Sequence, residues 1–295
     1  MRILPLILLI CLLPLAAFAQ PEKADIGVYI INAGKFDPQS GSYTVDFYLS
    51  YVCESNCTPD FEFSNGRAVS IDKMIDEPAE KFYRIQAVLQ DPVDFSRFPF
   101  DSHDLTIQIE DKTRTKDELV FDADVEQSGM EPELQFVGWQ LKNWSAEVKD
   151  HFYAPYDETF SKYTFRIVLQ RETLSSLLKV FVPVVFIMLL NFFAHFPDPD
   201  KITTRITLHS SFLIAAVMFH VTLGSQLPPL GYLTVADKFM LAAYIPLSFS
   251  LLSDIVVLEL TEEGDKRFVR TVHRASGAIS VAMWIIGLAI VVLTM

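Results

Sequence analysis

The stretch that decides the fold is Ile202-Thr203-Thr204-Arg205-Ile206-Thr207-Leu208-His209-Ser210-Ser211-Phe212-Leu213-Ile214-Ala215-Ala216-Val217-Met218-Phe219-His220-Val221-Thr222-Leu223. It has the length of a bilayer crossing, about 20 residues, yet it carries hydroxyls, two histidines and an arginine. Polar groups inside a span usually face an aqueous path or the interior of a helix bundle. At 100° per residue, Thr207, Ser211, Ile214, Met218 and Ser225 share a sector of about 60°, polar at both ends and apolar in the middle. Arg205, His209 and His220 fall on the opposite side. Two readings are open: a pore lining gated by Ile214 and Met218, or a packing stripe whose hydroxyls bond back to helix carbonyls.

Around this stretch lie three further apolar runs of membrane length, 174–196, 239–260 and 275–294, so with 202–223 there are four spans. The chain is 51% apolar and 13% aromatic, with net charge −13. Residues 20–172 hold 29 acids and 15 bases, whereas 173–295 hold eight of each, so an acidic water-facing domain precedes a neutral membrane domain. Without a concentrated basic surface, nucleic acid is excluded as a partner.

The first domain reads as β structure. β-Branched and aromatic runs at 26–31, 42–51, 81–89, 105–110, 119–123, 140–148 and 163–170 are separated by turn chemistry, with no long helical period. About eight short strands predict an antiparallel β-sandwich. Residues 1–19, with Arg2, an apolar run and Ala17-Phe18-Ala19 before Gln20, have the pattern of a cleavable signal peptide, an uncleaved anchor being the alternative. Export puts Cys53 and Cys57 in an oxidising compartment, where a disulfide-closed loop is expected; two cysteines are too few for zinc. With the β domain outside, Lys201, Arg205, Lys266, Arg267, Arg270 and Arg274 fall inside, and 224–237 carries no base, in accord with the positive-inside rule. The expected location is the inner cell membrane, with both the β domain and the C-terminus extracytoplasmic. There is no nucleophile elbow, metal-spaced His pair or phosphate-binding Gly loop, so no catalytic residue, metal or cofactor is expected.

The segment Asp91-Pro92-Val93-Asp94-Phe95-Ser96-Arg97-Phe98-Pro99-Phe100-Asp101-Ser102-His103 resembles the interface loop of the pentameric ligand-gated ion channels, the Cys-loop receptor superfamily. Supporting the resemblance are the opening hairpin with Asp37, Gly138-Trp139, Arg171 twelve residues before Pro183, and the run from Thr207-Leu208 to Leu227-Pro228. The bracketing cysteines of animal members are missing and the loop between the last two spans is short, as in bacterial members. The resemblance implies a homopentamer, each subunit a β-sandwich over a four-helix domain, with the second helices around a central pore. Asp37, Phe98, Pro99, Phe100, Asp101, Arg171 and Pro228 would couple the two domains, Arg171 lying between Asp101 and Asp37. The ligand site would draw on Phe152, Tyr153, Tyr156 and Phe160, faced across a subunit boundary by Phe82 and Tyr83, with Arg114 as a second lining; ordinary packing or a solvated charged turn is the alternative for each. Implied partners are identical subunits, membrane lipids, permeant ions and a small-molecule or proton agonist.

An acidic outer domain accumulates cations, which favours cation conduction. Where the resemblance implies an inner carboxylate ring in cation-selective members, this chain has Thr203 and Thr204, with Asp198 and Asp200 slightly further in. The rival function is a membrane-anchored β-sandwich receptor that does not conduct. Inside the third span, Asp254 lies level with His209 by helix rise, so the two are expected to pair, with Arg205 or inner-leaflet water as alternatives. Such a pair would make gating respond to pH.

Overall fold

The computed structural model describes residues 20–198, 201–263 and 266–295. The expected signal peptide, 1–19, and Asp200 lie outside the described residues.

Ten strands come first: β1 (Glu22–Ala33), β2 (Ser42–Cys53), β3 (Phe61–Phe63), β4 (Gly66–Asp76), β5 (Glu80–Gln90), β6 (Ser102–Asp111), β7 (Leu119–Ala123), β8 (Gly129–Met130), β9 (Trp139–Tyr153) and β10 (Glu158–Arg171). They form two sheets, β4-β5-β2-β1-β7 with β8 also on β1, and β3-β6-β10-β9. Alternation builds the sandwich: Tyr43, Val45, Phe47, Leu49 and Tyr51 of β2 and Tyr163, Phe165, Ile167 and Leu169 of β10 all point into one core. Side chains in a strand alternate between faces, so one face buries them and the other stays polar. Burying such a side chain contributes roughly 1.5–3 kcal/mol.

Strands β3, β4 and β8 were not expected. In β4, Gly-Arg-Ala-Val-Ser-Ile-Asp-Lys-Met-Ile-Asp, ten of the eleven residues are exposed, so no buried face imposes alternation. It is an edge strand held by its backbone ladder to β5. Cys53 and Cys57 are joined as a disulfide.

Four helices follow: α1 (Thr173–Phe193), α2 (Ile202–Gly224), α3 (Val235–Glu263) and α4 (Lys266–Leu293). All four are long and apolar enough to cross a membrane. Several bounds differ from the apolar runs, because a helix follows its hydrogen bonds and not the bilayer edge. α1 stops at Phe193 rather than 196. α3 starts at Val235, before 239, where Thr234 and Asp237 make a reciprocal cap: Asp237 N donates to Thr234 Oγ1 at 3.1 Å and Thr234 N to Asp237 Oδ2 at 2.8 Å. α4 starts at Lys266, before 275, and carries Arg270 and Arg274 on the helix.

Candidate ion pathway, coupling interface and ligand cavity

α2 has two unlike faces. Arg205, His209, Ala216 and Leu223 are buried, whereas Thr207, Ser211, Ile214, Met218 and Ser225 are exposed on the subunit, Ile214 by 63% and Met218 by 61%. Val221 and Thr222 also belong to the exposed face, filling the gap between Met218 and Ser225; helical spacing from Ile214 and Met218 places them there. Each hydroxyl on this face donates to a carbonyl: Thr207 to Thr203, Ser211 to Thr207, Thr222 to Met218 and Ser225 to Thr222, at 2.8–3.0 Å. With the hydrogens engaged, the oxygens present only lone pairs outward.

Behind the stripe, Asp254 of α3 meets two groups of α2. His209 Nδ1 lies 2.6 Å from Asp254 Oδ2, and Arg205 Nη2 forms an ion pair with Oδ1 at 2.6 Å. All three side chains are fully buried. His209 Nε2 lies 3.3 Å from the Asn191 carbonyl of α1, and Arg205 donates through Nη1 to His273 of α4. The expected His209 pair and its alternative, Arg205, are thus present together, and all four helices meet at this level. Towards the outer end, His220 sits 2.9 Å from Asp237 Oδ1 and 3.0 Å from the Tyr244 hydroxyl, a second bond between α2 and α3 that the spacing of α2 alone did not indicate.

At the junction of the two domains, Arg171 at the end of β10 donates twice to Asp101, at 2.7 and 2.8 Å, while His103 Nε2 lies 2.7 Å from the same carboxylate. The guanidinium also covers Trp139 and Phe98, at 4.4 and 5.1 Å from the ring centres. Burial raises the Asp101 carboxyl, but the bonds from His103 and Arg171 outweigh it and hold the group below its ordinary value of 3.8. Asp37 is not part of this cluster: it accepts from Gln39 N at 3.2 Å and the Ser40 hydroxyl at 2.7 Å. Its side chain is taken up by its own turn, where Gly41 has φ +70° and any Cβ would stand 2.2 Å from the Asp91 carbonyl.

Phe95 and Phe98 are buried among the helices. Phe98-Pro99 is a cis peptide bond. Phe100 stacks on Phe181 of α1 at 5.8 Å, Phe181 meets Phe239 of α3, and Phe239 meets Trp284 of α4. Around the α2–α3 segment, the bonds to the β domain come from residues on either side of Pro228: Phe95 N donates to the Tyr232 hydroxyl oxygen, 2.9 Å, Ala236 N donates to Phe98 O, 3.1 Å, and Ser225 O accepts from Gln39, 3.3 Å.

A cavity of about 310 Å³ opens beside the β9–β10 turn. Tyr153, Tyr156 and Phe160 line it, together with Glu62, Glu110, Asp111, Glu158 and Lys112. Tyr153 donates to Glu110 at 2.9 Å, and burial, with this bond to a carboxylate, pushes its pKa to about 12. Phe152 and Arg114 are not on this lining, and Phe82 and Tyr83 are expected to face it only from a neighbouring subunit. Phe152 is on the opposite strand face, exposed. Phe82 stacks on Tyr48, and Tyr83 is buried in the sandwich against Phe61. Arg114 is held by Asp111, three residues before it and itself on the lining, and by Glu22 and the Thr58 carbonyl, which are distant in sequence. Of the four acidic lining residues, Glu62, Glu110 and Glu158 carry no sequence signal, whereas Asp111, with Lys112, belongs to the charged 111–117 loop that also holds Arg114 and reads as a second candidate lining.

No family model matches the chain. It is similar to the proton-gated ion channel of Gloeobacter violaceus, 23% identical over 284 residues, covering 87% of this chain and 79% of that one. It is also 23% identical over 225 residues to the human glycine receptor subunit beta, and 26% over 172 residues to the rat neuronal acetylcholine receptor subunit alpha-10. The matches cover 44% and 37% of those receptors, less than half their length. These relatives are channels and receptors, not enzymes. A β-rich domain followed by four membrane-length helices is consistent with the fold of the pentameric ligand-gated ion channels, the Cys-loop receptor superfamily, and the chain is similar in sequence to members of that superfamily, to a bacterial one over most of its length.

Proposed function

We propose that five identical subunits surround a cation-conducting pore lined by α2, closed at rest by rings of Ile214 and Met218, and opened when the outer β domain binds a small cation. The domain limits taken are 20–172 outside and 173–295 in the membrane, with both termini of the mature chain extracytoplasmic. The observation that carries the proposal is the exposed stripe of α2 opposite a fully buried polar face. One such stripe cannot enclose water, but a ring of five can, and apolar rings then close it by dewetting. Thr207 and Ser211 form the hydrated inner end, Thr207 about 16 Å from Met218.

Three features favour cations. The outer domain carries net −14 from 29 acids and 15 bases. The stripe hydroxyls turn lone pairs, not hydrogens, outward. The ligand cavity has four acidic residues, three aromatics and one lysine, a lining suited to an organic cation. Coupling runs through Arg171, Asp101 and the Phe98-Pro99-Phe100 segment to α1 and the α2–α3 region; Asp37 and Pro228 act through the backbone of their loops.

The experiment is ion flux from liposomes holding the purified chain, under imposed Na⁺ and Cl⁻ gradients, with a panel of amines and a range of pH. Amine-evoked cation flux is the expected result. Anion flux would reverse the selectivity assignment, and ligand binding without any flux would favour the non-conducting receptor.

A further inference from the structure

Alternation along β9 sets Lys149, His151 and Tyr153 on one face of the sheet. Sheet pairing brings charges from three other strands towards them: Lys162 of β10 lies opposite Lys149, and Glu110 of β6 lies opposite Glu62 of β3. His151 is not on the lining of the ligand cavity, but Glu110 is, and it joins the two. His151 Nδ1 lies 2.7 Å from Glu110 Oε1, Tyr153 donates to Oε2 at 2.9 Å, and Lys162 Nζ stands 3.7 Å from Oε1. The Glu110 side chain is 2% exposed and that of His151 33%. The carboxylate is therefore sealed from water, while the ring bonded to it can exchange protons with solvent. An ionised carboxylate only accepts, so a neutral ring carries its hydrogen on Nδ1 and takes a second proton on Nε2.

That second proton changes the charge of the cavity wall. Asp111 is answered by Arg114, Lys112 by Asp60 and Lys149 by Glu147. Glu62, Glu110 and Glu158 then face Lys162, three acids against one base, so the group is net −2 with His151 neutral and −1 with His151 charged. Tyr153, its pKa pushed up to about 12, stays neutral throughout. The added charge falls beside the most buried of the three acids, where water screens it least.

We propose that His151 is a proton-operated regulator of the ligand cavity: the neutral ring leaves the Glu110 charge to a bound cation, and the charged ring takes that carboxylate as its own counter-ion and weakens the cation's hold. The inference deepens the cation-site reading above and rests on it. Histidine changes charge between about pH 5 and 8, which sets the range of the effect. Coupling of this kind is reciprocal, so a bound cation also expels the proton. Acid is then an antagonist of the cation at this site.

The test is isothermal titration calorimetry of the full-length protein in detergent with tetramethylammonium, a quaternary cation that suits aromatic walls and whose charge does not depend on pH. Its Kd should rise about tenfold from about pH 8 to about pH 5.5. Binding between these limits should release protons, read as a heat that scales with the ionisation enthalpy of the buffer. His151→Gln keeps a donor to Glu110 but carries no charge, so its Kd should change by less than about twofold over the same range and stay near the wild-type value at the alkaline end. His151→Lys is charged throughout and should bind weakly at every pH. Proton release is measured on the wild type, so it decides the matter if either variant fails to assemble. A wild-type Kd that is constant or falls in acid, or a pH dependence that survives in His151→Gln, would overturn the regulation and leave the cation site standing. No tetramethylammonium binding by the wild type at any pH would reject the cavity as a cation site, and this proposal with it.

Discussion

The two faces of α2 both carry polar groups, for opposite reasons. On the buried face, Arg205 and His209 converge on Asp254, with every charge matched inside the bundle and no side chain exposed. On the other, Thr207, Ser211, Thr222 and Ser225 satisfy their own hydrogens on helix carbonyls and leave the face open. The first arrangement fixes where the helix sits. The second leaves a surface that needs neighbouring subunits and water. Charge is tolerated within the membrane only where partners are supplied, while hydroxyls are self-sufficient and can face either protein or water.

The contrast is broken most severely on the buried face. Asp254→Ala leaves Arg205 without its carboxylate in a fully buried position, and removing one partner of such a pair costs roughly 3–5 kcal/mol. Loss of assembled protein on size-exclusion chromatography is expected. Replacing the group as a whole, with Asp254→Leu and Arg205→Met together, should recover assembly, because an apolar substitute for a buried pair is often neutral.

At the domain junction, Arg171→Ala removes the partner that Asp101 holds by two bonds, again about 3 kcal/mol, and should impair activation or assembly. Its pH dependence has a definite sign. Asp101 lies below its ordinary value of 3.8 when folded, so its contribution is full above that pH and fades as the pH falls through the folded value. Thermal unfolding of the wild type should lose stability in that acid window, and Asp101→Asn should flatten the loss.

Between the faces, a double-mutant cycle on gating with Asp254→Asn and His209→Gln should give a coupling of about 0.5–3 kcal/mol, as for groups in contact. Strict additivity would mean that the contact does not bear on gating. On the open face, Ser211→Ala removes a lone pair directed outward without uncovering a charge. A fall in single-channel cation conductance of about twofold is expected, with assembly unchanged.

The buried face was legible because helix rise is regular: counting from the outer ends of two helices put Asp254 and His209 level, and they meet. The sandwich core was legible from alternation in β2, β5 and β10. What failed to show were features without a periodic signature. β4 is an exposed edge strand. Arg114 is claimed by Asp111 within its own turn and by Glu22 through a chain crossing that spacing does not encode, and Asp37 is satisfied within its own turn before it can reach Arg171. Tyr153, Tyr156 and Phe160 were identifiable as a group beside a turn, but their acidic neighbours come from β3, β6 and β10 and are brought together only by sheet pairing.

The most direct test of the open face as a pore is resting ion flux from liposomes holding Ile214→Ser or Met218→Ser, compared with wild type at equal incorporation. A hydroxyl at either level hydrates the apolar ring, so basal flux should rise without agonist. Unchanged basal flux in both variants, with normal assembly, would contradict the assignment of these rings as the gate.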